Sequence, residues 1–280
     1  MSDLHQLEVR PEKMRKTNPL VAVVVVNWNR AQDTLSCLRS LYACRYDALV
    51  VLVVDNHSTD DSVSAIARDF PQARVLINQR NLGYAGGCNL GLRWAAAERA
   101  DYVLLLNNDA VVDAEAIGRM VSAAEVEGAA MVGPKIYYSR LPMVIWSAGG
   151  YVDWRKGHCF NRGNQQVDVG QYQQSEVVEW VNGCALLVRT DVVREIGLLD
   201  TGYFMYYEEV DWCMRASRAG HKVLYVPEAV VLHEVGASSS REDEKRRWYR
   251  ASRLRFLRKH ARRRDYLRLL AEQHVDRWLQ

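Results

Sequence analysis

Two short segments concentrate the residue types that bind cations and transfer protons. The triplet Asn107-Asn108-Asp109 follows the apolar run YVLLL, and the segment EEVD at 208–211 places three carboxylates within four positions. Turn formation would explain the first segment, and acidic capping of a helix would explain the second. Three carboxylates exceed what capping requires, however, and their crowding raises the pKa of at least one of them. A carboxylate with a raised pKa suits general base catalysis, so the second segment predicts a proton acceptor.

A histidine in the second half of the chain is a candidate partner for the Asn-Asn-Asp triplet. His233 follows the apolar run VVL and ends a predicted strand. A single histidine at such a position is usually structural, but imidazole and carboxylate together form a suitable ligand pair for a divalent cation. We therefore predict that His233 and Asp109 converge on such a cation.

The elements that must position these residues follow from the hydrophobic pattern. Predicted strands at 21–26, 49–54, 74–77 and 102–106 alternate with predicted helices at 34–42, 62–68 and 114–127 and, after the third strand, with a glycine-rich stretch at 83–91 that leads into a helix through residue 99. This alternation predicts an α/β fold with a mostly parallel, Rossmann-like sheet and helices on both faces. Polar or glycine-containing segments follow all four strands. Because the carboxyl ends of parallel strands share one edge, these segments should form a cleft for a polar ligand.

The pattern changes after residue 130. Residues 131–181 contain short extended pieces and many aromatic side chains, which predicts a smaller antiparallel region. The remaining predicted elements are strands at 184–188, 223–226 and 230–232 and helices at 191–196 and 208–218. A dinucleotide-binding enzyme is disfavoured, because no glycine follows the first strand until Gly83.

Length and composition limit the class of protein. A chain of 280 residues with 49% hydrophobic content can form one large domain with a substantial core. Its longest aliphatic runs, at 20–26 and 48–54, are much shorter than the roughly 20 residues that cross a bilayer. The six cysteines include no CxxC pair and no zinc spacing, so we expect buried, reduced thiols. We predict a cytoplasmic protein.

The last forty residues differ in charge from the rest of the chain. From position 241 onward, 14 Lys and Arg face 6 Asp and Glu, a balance of +8, whereas the preceding residues carry a balance of −5. Trp248, Ala251, Leu254, Leu257 and Ala261 recur at helical spacing, which predicts a basic helical tail. Two interpretations remain open: a helix packed on the main domain, and a helix on an anionic membrane surface. Nothing in the rest of the chain indicates that the protein binds nucleic acid.

Six motifs occur in a fixed order over residues 21–236. They are VVVVNWNR, VVDNHSTDDS, NLGYAGGCNLG, LLLNNDA, YYEEVDWCMR and VLHEVG. Together they resemble the inverting, family 2 glycosyltransferases of GT-A fold, of the bacterial rhamnosyltransferase-like kind. The resemblance implies transfer of a sugar, with L-rhamnose from dTDP-rhamnose as the first candidate, from a dTDP- or UDP-sugar to a glycan or lipid-linked acceptor in cell-surface polysaccharide synthesis. It also implies Mg²⁺ or Mn²⁺ as cofactor.

The resemblance assigns a role to each motif. It implies that Asn27, Asn29 and Asp55 hold the base and ribose, and that Arg80, Asn81, Gly83 and Gly86 line the nucleotide and sugar pocket. Asn107 and Asn108 stand with Asp109 where the family carries its DxD signature, although the first acid is an amide here. Asp109 and His233 correspond to the metal ligands. Glu209 corresponds to the catalytic base, more often an aspartate, and Asp211 is the alternative.

These implications define the expected organisation. We expect a flexible arm at 1–18, a catalytic domain at 19–240 and the basic tail at 241–280. The domain divides into a nucleotide-binding half at 19–130 and an acceptor half, with the base, at 131–240. The tail would bring the protein to the inner face of the membrane, and the sequence is compatible with a homo-oligomer. The alternative function is a non-catalytic sugar-nucleotide-binding or scaffold protein, which Asn107 and Glu209 would favour.

Overall fold

A computed structural model describes residues 18–235 and 242–278, with side chains up to residue 271. The predicted flexible arm lies almost entirely outside these residues. The first half of the described chain contains β1 (Val21–Asn27), α1 (Ala31–Tyr42), β2 (Leu49–Asp55), α2 (Ser62–Asp69), β3 (Arg74–Ile77), α3 (Gly83–Ala97), β4 (Tyr102–Asn107), β5 (Ala110–Val112) and α4 (Ala116–Glu127).

The second half contains more strands, and the chain ends in helices. Its elements are β6 (Ala129–Tyr138), β7 (Leu141–Ser147), β8 (Gly150–Asp153), β9 (His158–Asn161), β10 (Gln166–Val167), β11 (Glu176–Val177), β12 (Ala185–Arg189), α5 (Thr190–Ile196), α6 (Glu208–Arg218), β13 (Lys222–His233), α7 (Glu242–His260) and α8 (Arg263–Trp278).

The carboxyl ends of the parallel strands share one edge of the sheet, as the sequence predicted. Strands β3, β2, β1 and β4 are adjacent in that order and parallel, with Asn27 opposite Asp55 and Val26 opposite Asn107. Strand β12 then pairs antiparallel with β4 and with β6. The polar residues that follow β1, β2 and β4 therefore lie side by side, as the parallel arrangement requires.

Helices cover both faces of this sheet, because alternate residues of the β-branched strand β1 face opposite sides. Val23 and Val25 pack into a core with α1, α2 and α4. Ala22 and Val24 pack into a second core with α3, α5 and α6. The predicted α/β fold class is confirmed, and the antiparallel strands β7 to β11 lie in the region where they were expected.

Two details of the strands differ from the predictions. The predicted strands at 223–226 and 230–232 are one strand, β13, with an irregularity between Val226 and Val230. Strand β5 has only three residues, too few to show any periodicity in the sequence. It pairs antiparallel with β13, so that Ala110 lies opposite His233. This pairing joins the Asn-Asn-Asp segment to the second half of the chain.

The basic tail is helical as predicted, and it packs on the domain. Phe256 and Leu257 of α7 and Leu269 of α8 are buried in the same core as α3 and α6. Arg253 donates to the backbone carbonyls of Lys156 and Gly157 in the turn between β8 and β9. Among the described residues, no helix combines the length and hydropathy needed to cross a membrane.

The close contact between α3 and β1 generates a prediction about stability. A Cβ atom at Gly91 would lie 2.1 Å from Cγ1 of Val24, so Gly91→Ala should overpack the core and lower the free energy of unfolding by about 1–3 kcal/mol. Gly118→Ala in α4 is the matched control, because its Cβ would first meet Tyr46 at 3.6 Å. The control should be neutral or stabilising by up to about 1 kcal/mol. Chemical denaturation measures both, and equal effects would contradict this account.

Candidate active site

Asp109 and His233 meet at the edge of the sheet, brought together by the pairing of β5 with β13. Oδ1 of Asp109 lies 3.1 Å from Nε2 of His233. Nδ2 of Asn107 lies 3.4 Å from the same imidazole nitrogen, and the ring of Trp146 packs 4.4 Å from the His233 ring, centroid to centroid. The convergence of the two side chains that the sequence suggested is therefore present.

The donor atoms of this pair suit a divalent cation. Oδ1 of Asp109 and Nδ1 of His233 are buried, and neither has a hydrogen-bond partner of acceptable geometry. Among the described side chains, no group of three or more His, Cys, Asp or Glu forms a cation site. Mg²⁺ and related ions commonly use one or two protein ligands and complete their shell with phosphate oxygens and water. Asp109 and His233 would hold such a cation in this way.

A buried network of hydrogen bonds connects the ends of β1, β2 and β4. Nδ2 of Asn27 donates to Oδ1 of Asp55 at 2.7 Å, and Oδ1 of Asn27 accepts from Thr34 at 2.6 Å and from Asn108 at 3.2 Å. Asp55 also accepts from the backbone and hydroxyl of Ser58. Asn27 and Asp55 are 0% and 1% exposed, so their side chains fix the strand ends and the following loops.

The residues after β1 adopt an unusual backbone. Asn29 and Arg30 have φ angles of 60° and 63°, in the left-handed region that asparagine tolerates and most other side chains avoid. Oδ1 of Asn29 accepts from the backbone of Thr59 at 2.8 Å. Asn29 thus links the loops that follow β1 and β2, and Arg30 contributes to the wall of the adjacent cavity.

A first cavity, which we call the strand-edge cavity, has a volume of about 140 Å³. It is lined by Val26, Trp28, Arg30, Asn56, Asn81, Gly83, Tyr84, Asn107, Asn108, Asp109, Phe204 and Met205.

The residues of the glycine-rich segment divide between this wall and the protein interior. Oδ1 of Asn81 accepts from the backbone of Gly83, and Gly83 has φ of +72° with no room for a Cβ beside the carbonyl of Phe204. Gly86, further along α3, packs against Leu82. Arg80 is exposed and is not part of this wall.

The central cavity adjoins the strand-edge cavity and contains the glutamate pair. Its volume is about 430 Å³, and its walls include Asn107, Asp109, His233, Glu208 and Glu209. Oε2 of each glutamate is buried without a hydrogen-bond partner. Burial raises the pKa of both carboxyls, and the charge of Glu209 raises the pKa of Glu208 further. Of the two carboxyls, Glu208 therefore has the more strongly raised pKa.

Asp211 has a different environment from the glutamates. Its carboxylate is fully buried and accepts from Arg215 at 3.0 Å, from Lys259 at 2.5 Å and from His260 at 2.7 Å. Burial alone would raise its pKa, but the hydrogen bonds from His260 and Lys259 outweigh burial and lower the pKa to about 2. Asp211 is therefore charged and paired, and it is not part of the central cavity wall.

An aromatic groove continues from the central cavity on the far side of Glu209. Its volume is about 580 Å³, and it shares Trp146, Asn182, Tyr206 and Glu209 with the central cavity. Its other aromatic side chains are Tyr151, Phe160, Tyr172, Trp180, Tyr207 and Tyr249. Aromatic faces and amides of this kind suit the apolar faces and hydroxyls of a sugar.

The structure also reveals site residues that the sequence-based interpretation missed. Asn182 and Trp146 line both the central cavity and the groove, and Thr34 and Ser58 belong to the buried network. One of them had a signal in the sequence: Asn182 is a polar residue within the run WVNGCALLV before β12. Trp146 had none, because its position depends on how β7 pairs with β6.

Known structures share this architecture. A mannosyltransferase from Pyrobaculum calidifontis in complex with GDP-Man and Mn²⁺ aligns over 92% of this chain and 70% of its own with a TM-score of 0.63 and 17% identity. GalNAc-T7 with UDP, GalNAc and Mn²⁺ aligns over 78% of this chain and 44% of its own, with a TM-score of 0.65 and 16% identity. The fold is therefore that of the GT-A glycosyltransferases.

Sequence comparison then gives the family. The model of glycosyltransferase-like family 2 matches residues 18–251, and the chain belongs to this family of glycosyltransferases. An N-acetylglucosaminyl-diphospho-decaprenol L-rhamnosyltransferase of Mycobacterium tuberculosis (strain ATCC 25618 / H37Rv) is 29% identical over 80% of this chain and 78% of its own length. The dTDP-rhamnosyl transferase RfbF of Shigella flexneri is 22% identical over 79% and 71%.

Proposed function

We propose that this protein transfers a sugar from a nucleotide-sugar to a hydroxyl group of an acceptor, with inversion at the anomeric carbon. One observation carries the proposal: three adjoining cavities form a path from the strand edge to the aromatic groove. Asp109 lies at the first junction of this path, beside His233 in the wall of the central cavity, and Glu209 lies at the second. Donor, reacting atoms and acceptor each have a place along it.

The donor diphosphate would lie where the strand-edge cavity meets the central cavity. Asp109 and His233 would hold a divalent cation there, Mg²⁺ or Mn²⁺, whose charge would stabilise the departing nucleoside diphosphate. The Mn²⁺ bound in the two similar structures supports this assignment. Asn107 and Asn108 offer amides at the same edge. Asn27, Asn29 and Asp55 contribute to nucleotide binding by fixing the loops that form the nucleotide pocket.

Glu209 is the proposed general base. It stands between the central cavity and the groove, so its free oxygen can take the proton of an acceptor hydroxyl as that oxygen attacks the anomeric carbon. The raised pKa brings the carboxylate closer to the pH at which a base is most effective. A single displacement from the side opposite the leaving group inverts the configuration. Asp211, which accepts from Arg215, Lys259 and His260, supports the fold around the base.

The relatives suggest the substrates. The enzyme from Shigella flexneri is named for dTDP-rhamnose and that from Mycobacterium tuberculosis for rhamnosyl transfer to a lipid diphosphate sugar. We therefore propose dTDP-rhamnose as donor and a glycan or lipid-linked glycan as acceptor, with its terminal sugar in the aromatic groove. Synthesis of a cell-surface polysaccharide would follow from such an acceptor.

We also propose that the tail contacts an anionic membrane surface. Several tail cations are committed to the protein, because Arg255 and Lys259 both pair with Asp200. A set of arginines remains exposed on α7, α8 and the residues between them: Arg246, Arg247, Arg250, Arg258, Arg262, Arg263 and Arg264. Such placement would bring a lipid-linked acceptor to the groove.

The test of the base is the substitution Glu209→Gln. An amide cannot accept the proton, so turnover should fall by about 10²–10⁴-fold while donor affinity stays unchanged. Turnover is measured with a panel of dTDP- and UDP-sugars and glycan acceptors, and donor affinity by calorimetry. The exposed Glu195→Gln is the matched control and should keep full activity. In the wild type, turnover should fall as the pH is lowered, because Glu209 becomes protonated. The apparent pKa of that fall should lie above the ordinary pKa of a glutamate.

Three results would contradict this assignment. If Glu209→Gln stays active and Asp211→Asn is inactive, Asp211 is the base. If the wild type binds nucleotide-sugars but transfers none of them to any acceptor, the protein is a binding or scaffold protein. If Glu209→Gln loses donor affinity and turnover together, Glu209 serves donor binding.

The membrane proposal predicts a specific loss of lipid binding. Replacing Arg246, Arg247 and Arg250 by glutamine should weaken sedimentation with anionic vesicles roughly 100-fold, since each basic side chain contributes about 1 kcal/mol. The control replaces Arg45, Arg68 and Arg74, three exposed arginines outside the tail, and should bind as the wild type does. Two results would rule the proposal out: vesicle binding that does not change with salt or with anionic lipid content, or an equal loss of binding in the control.

A further inference from the structure

The segment before the glutamate pair has an unusual backbone. Tyr206 and Tyr207, the two residues that precede Glu208, have φ angles of 71° and 68°. Large L-amino acids rarely adopt this left-handed conformation, and neither residue is a glycine or an asparagine. Two such residues in succession persist only where the surroundings hold them, and strain of this kind concentrates at functional sites.

The surroundings that hold this segment come from helix α7. Oγ of Ser252 donates to the backbone carbonyl of Met205 at 2.8 Å, and Ser252 is buried. The hydroxyl of Tyr207 donates to the hydroxyl of Tyr249 at 3.1 Å. The ring of Phe256 packs 5.3 Å from that of Tyr207. Helix α7 thus contacts the strained segment through a backbone carbonyl, a side-chain hydroxyl and an aromatic face.

The same segment also forms part of the strand-edge cavity. Phe204 and Met205 lie in the wall of that cavity, and the backbone amide of Tyr84 donates to the carbonyl of Phe204 at 2.9 Å. The ring of Trp248 in α7 packs 4.7 Å from the ring of Phe204. A shift of α7 would therefore reach both the cavity wall and the helix start that carries Glu209.

We propose that Ser252 and Tyr249 of α7 are positioning residues, which hold Tyr206 and Tyr207 in the left-handed conformation that directs Glu209 into the central cavity. This inference rests on the proposed function for its effect on turnover. Ser252 and Tyr249 are remote from the EEVD motif in sequence, and neither is part of the central cavity wall, although Tyr249 also lines the aromatic groove. Their contribution acts through the segment 204–207.

The test uses Ser252→Ala and Tyr249→Phe in the full chain. Each removes one hydroxyl, and each should lower kcat roughly 10-fold with the donor KM unchanged, because small displacements of a reacting group are costly. Ser64→Ala and Tyr46→Phe are the matched controls, since each removes a hydroxyl that donates to a backbone carbonyl elsewhere. Amide hydrogen exchange over residues 204–210 should become faster in the test variants and stay unchanged in the controls.

Exchange separates this inference from the proposed function. If the wild type transfers no sugar, the proposed function fails, while faster exchange in both test variants still supports the positioning role. Unchanged exchange over 204–210 would overturn the inference, whatever the activity. It would also be overturned if the control variants lost as much kcat as the test variants, or if the loss appeared in donor KM alone.

Discussion

The antiparallel pairing of β5 with β13 is the constraint on which the site depends. The proposed metal-ligand pair comes from the two halves of the chain, and this short pairing, with Ala110 opposite His233, places Oδ1 of Asp109 3.1 Å from Nε2 of His233. The parallel register of β1, β2 and β4 fixes the other polar strand ends through the buried network around Asn27. Together they gather at one edge of the sheet the side chains that we propose bind a diphosphate and a cation.

Four ionisable side chains along this path contain buried polar atoms, and burial of such atoms costs free energy unless a hydrogen-bond partner is present. Asp109, His233, Glu208 and Glu209 each have a buried side-chain atom without a hydrogen-bond partner, and all four line the central cavity. A ligand or water bound in this cavity could form hydrogen bonds with these atoms. Asp211, two residues after Glu209, shows the opposite arrangement, because Arg215, Lys259 and His260 all contact its carboxylate.

Much of this could be predicted from the sequence, for identifiable reasons. The hydrophobic pattern located β1, β4 and α6. The alternation of strands and helices predicted that the carboxyl ends of the parallel strands share one edge of the sheet. The pair of Asp109 and His233 followed from residue types at strand ends. The structural roles of Asn27 and Asp211 could not be read in this way, because a buried amide or carboxylate looks the same in sequence whether it faces a ligand or its neighbours. Nor could the contribution of α7, since the contacts of Ser252 and Tyr249 span more than forty residues.

The central claim is that Asp109 and His233 bind a divalent cation together with the donor diphosphate. Mn²⁺ titration followed by electron paramagnetic resonance, with and without dTDP, tests it directly and needs no acceptor. The account predicts weak Mn²⁺ binding to the wild type alone and much tighter binding when dTDP is present, because the diphosphate completes the coordination shell. Both Asp109→Ala and His233→Ala should abolish that enhancement. Equal Mn²⁺ affinity with dTDP in the wild type and in both variants would contradict the account.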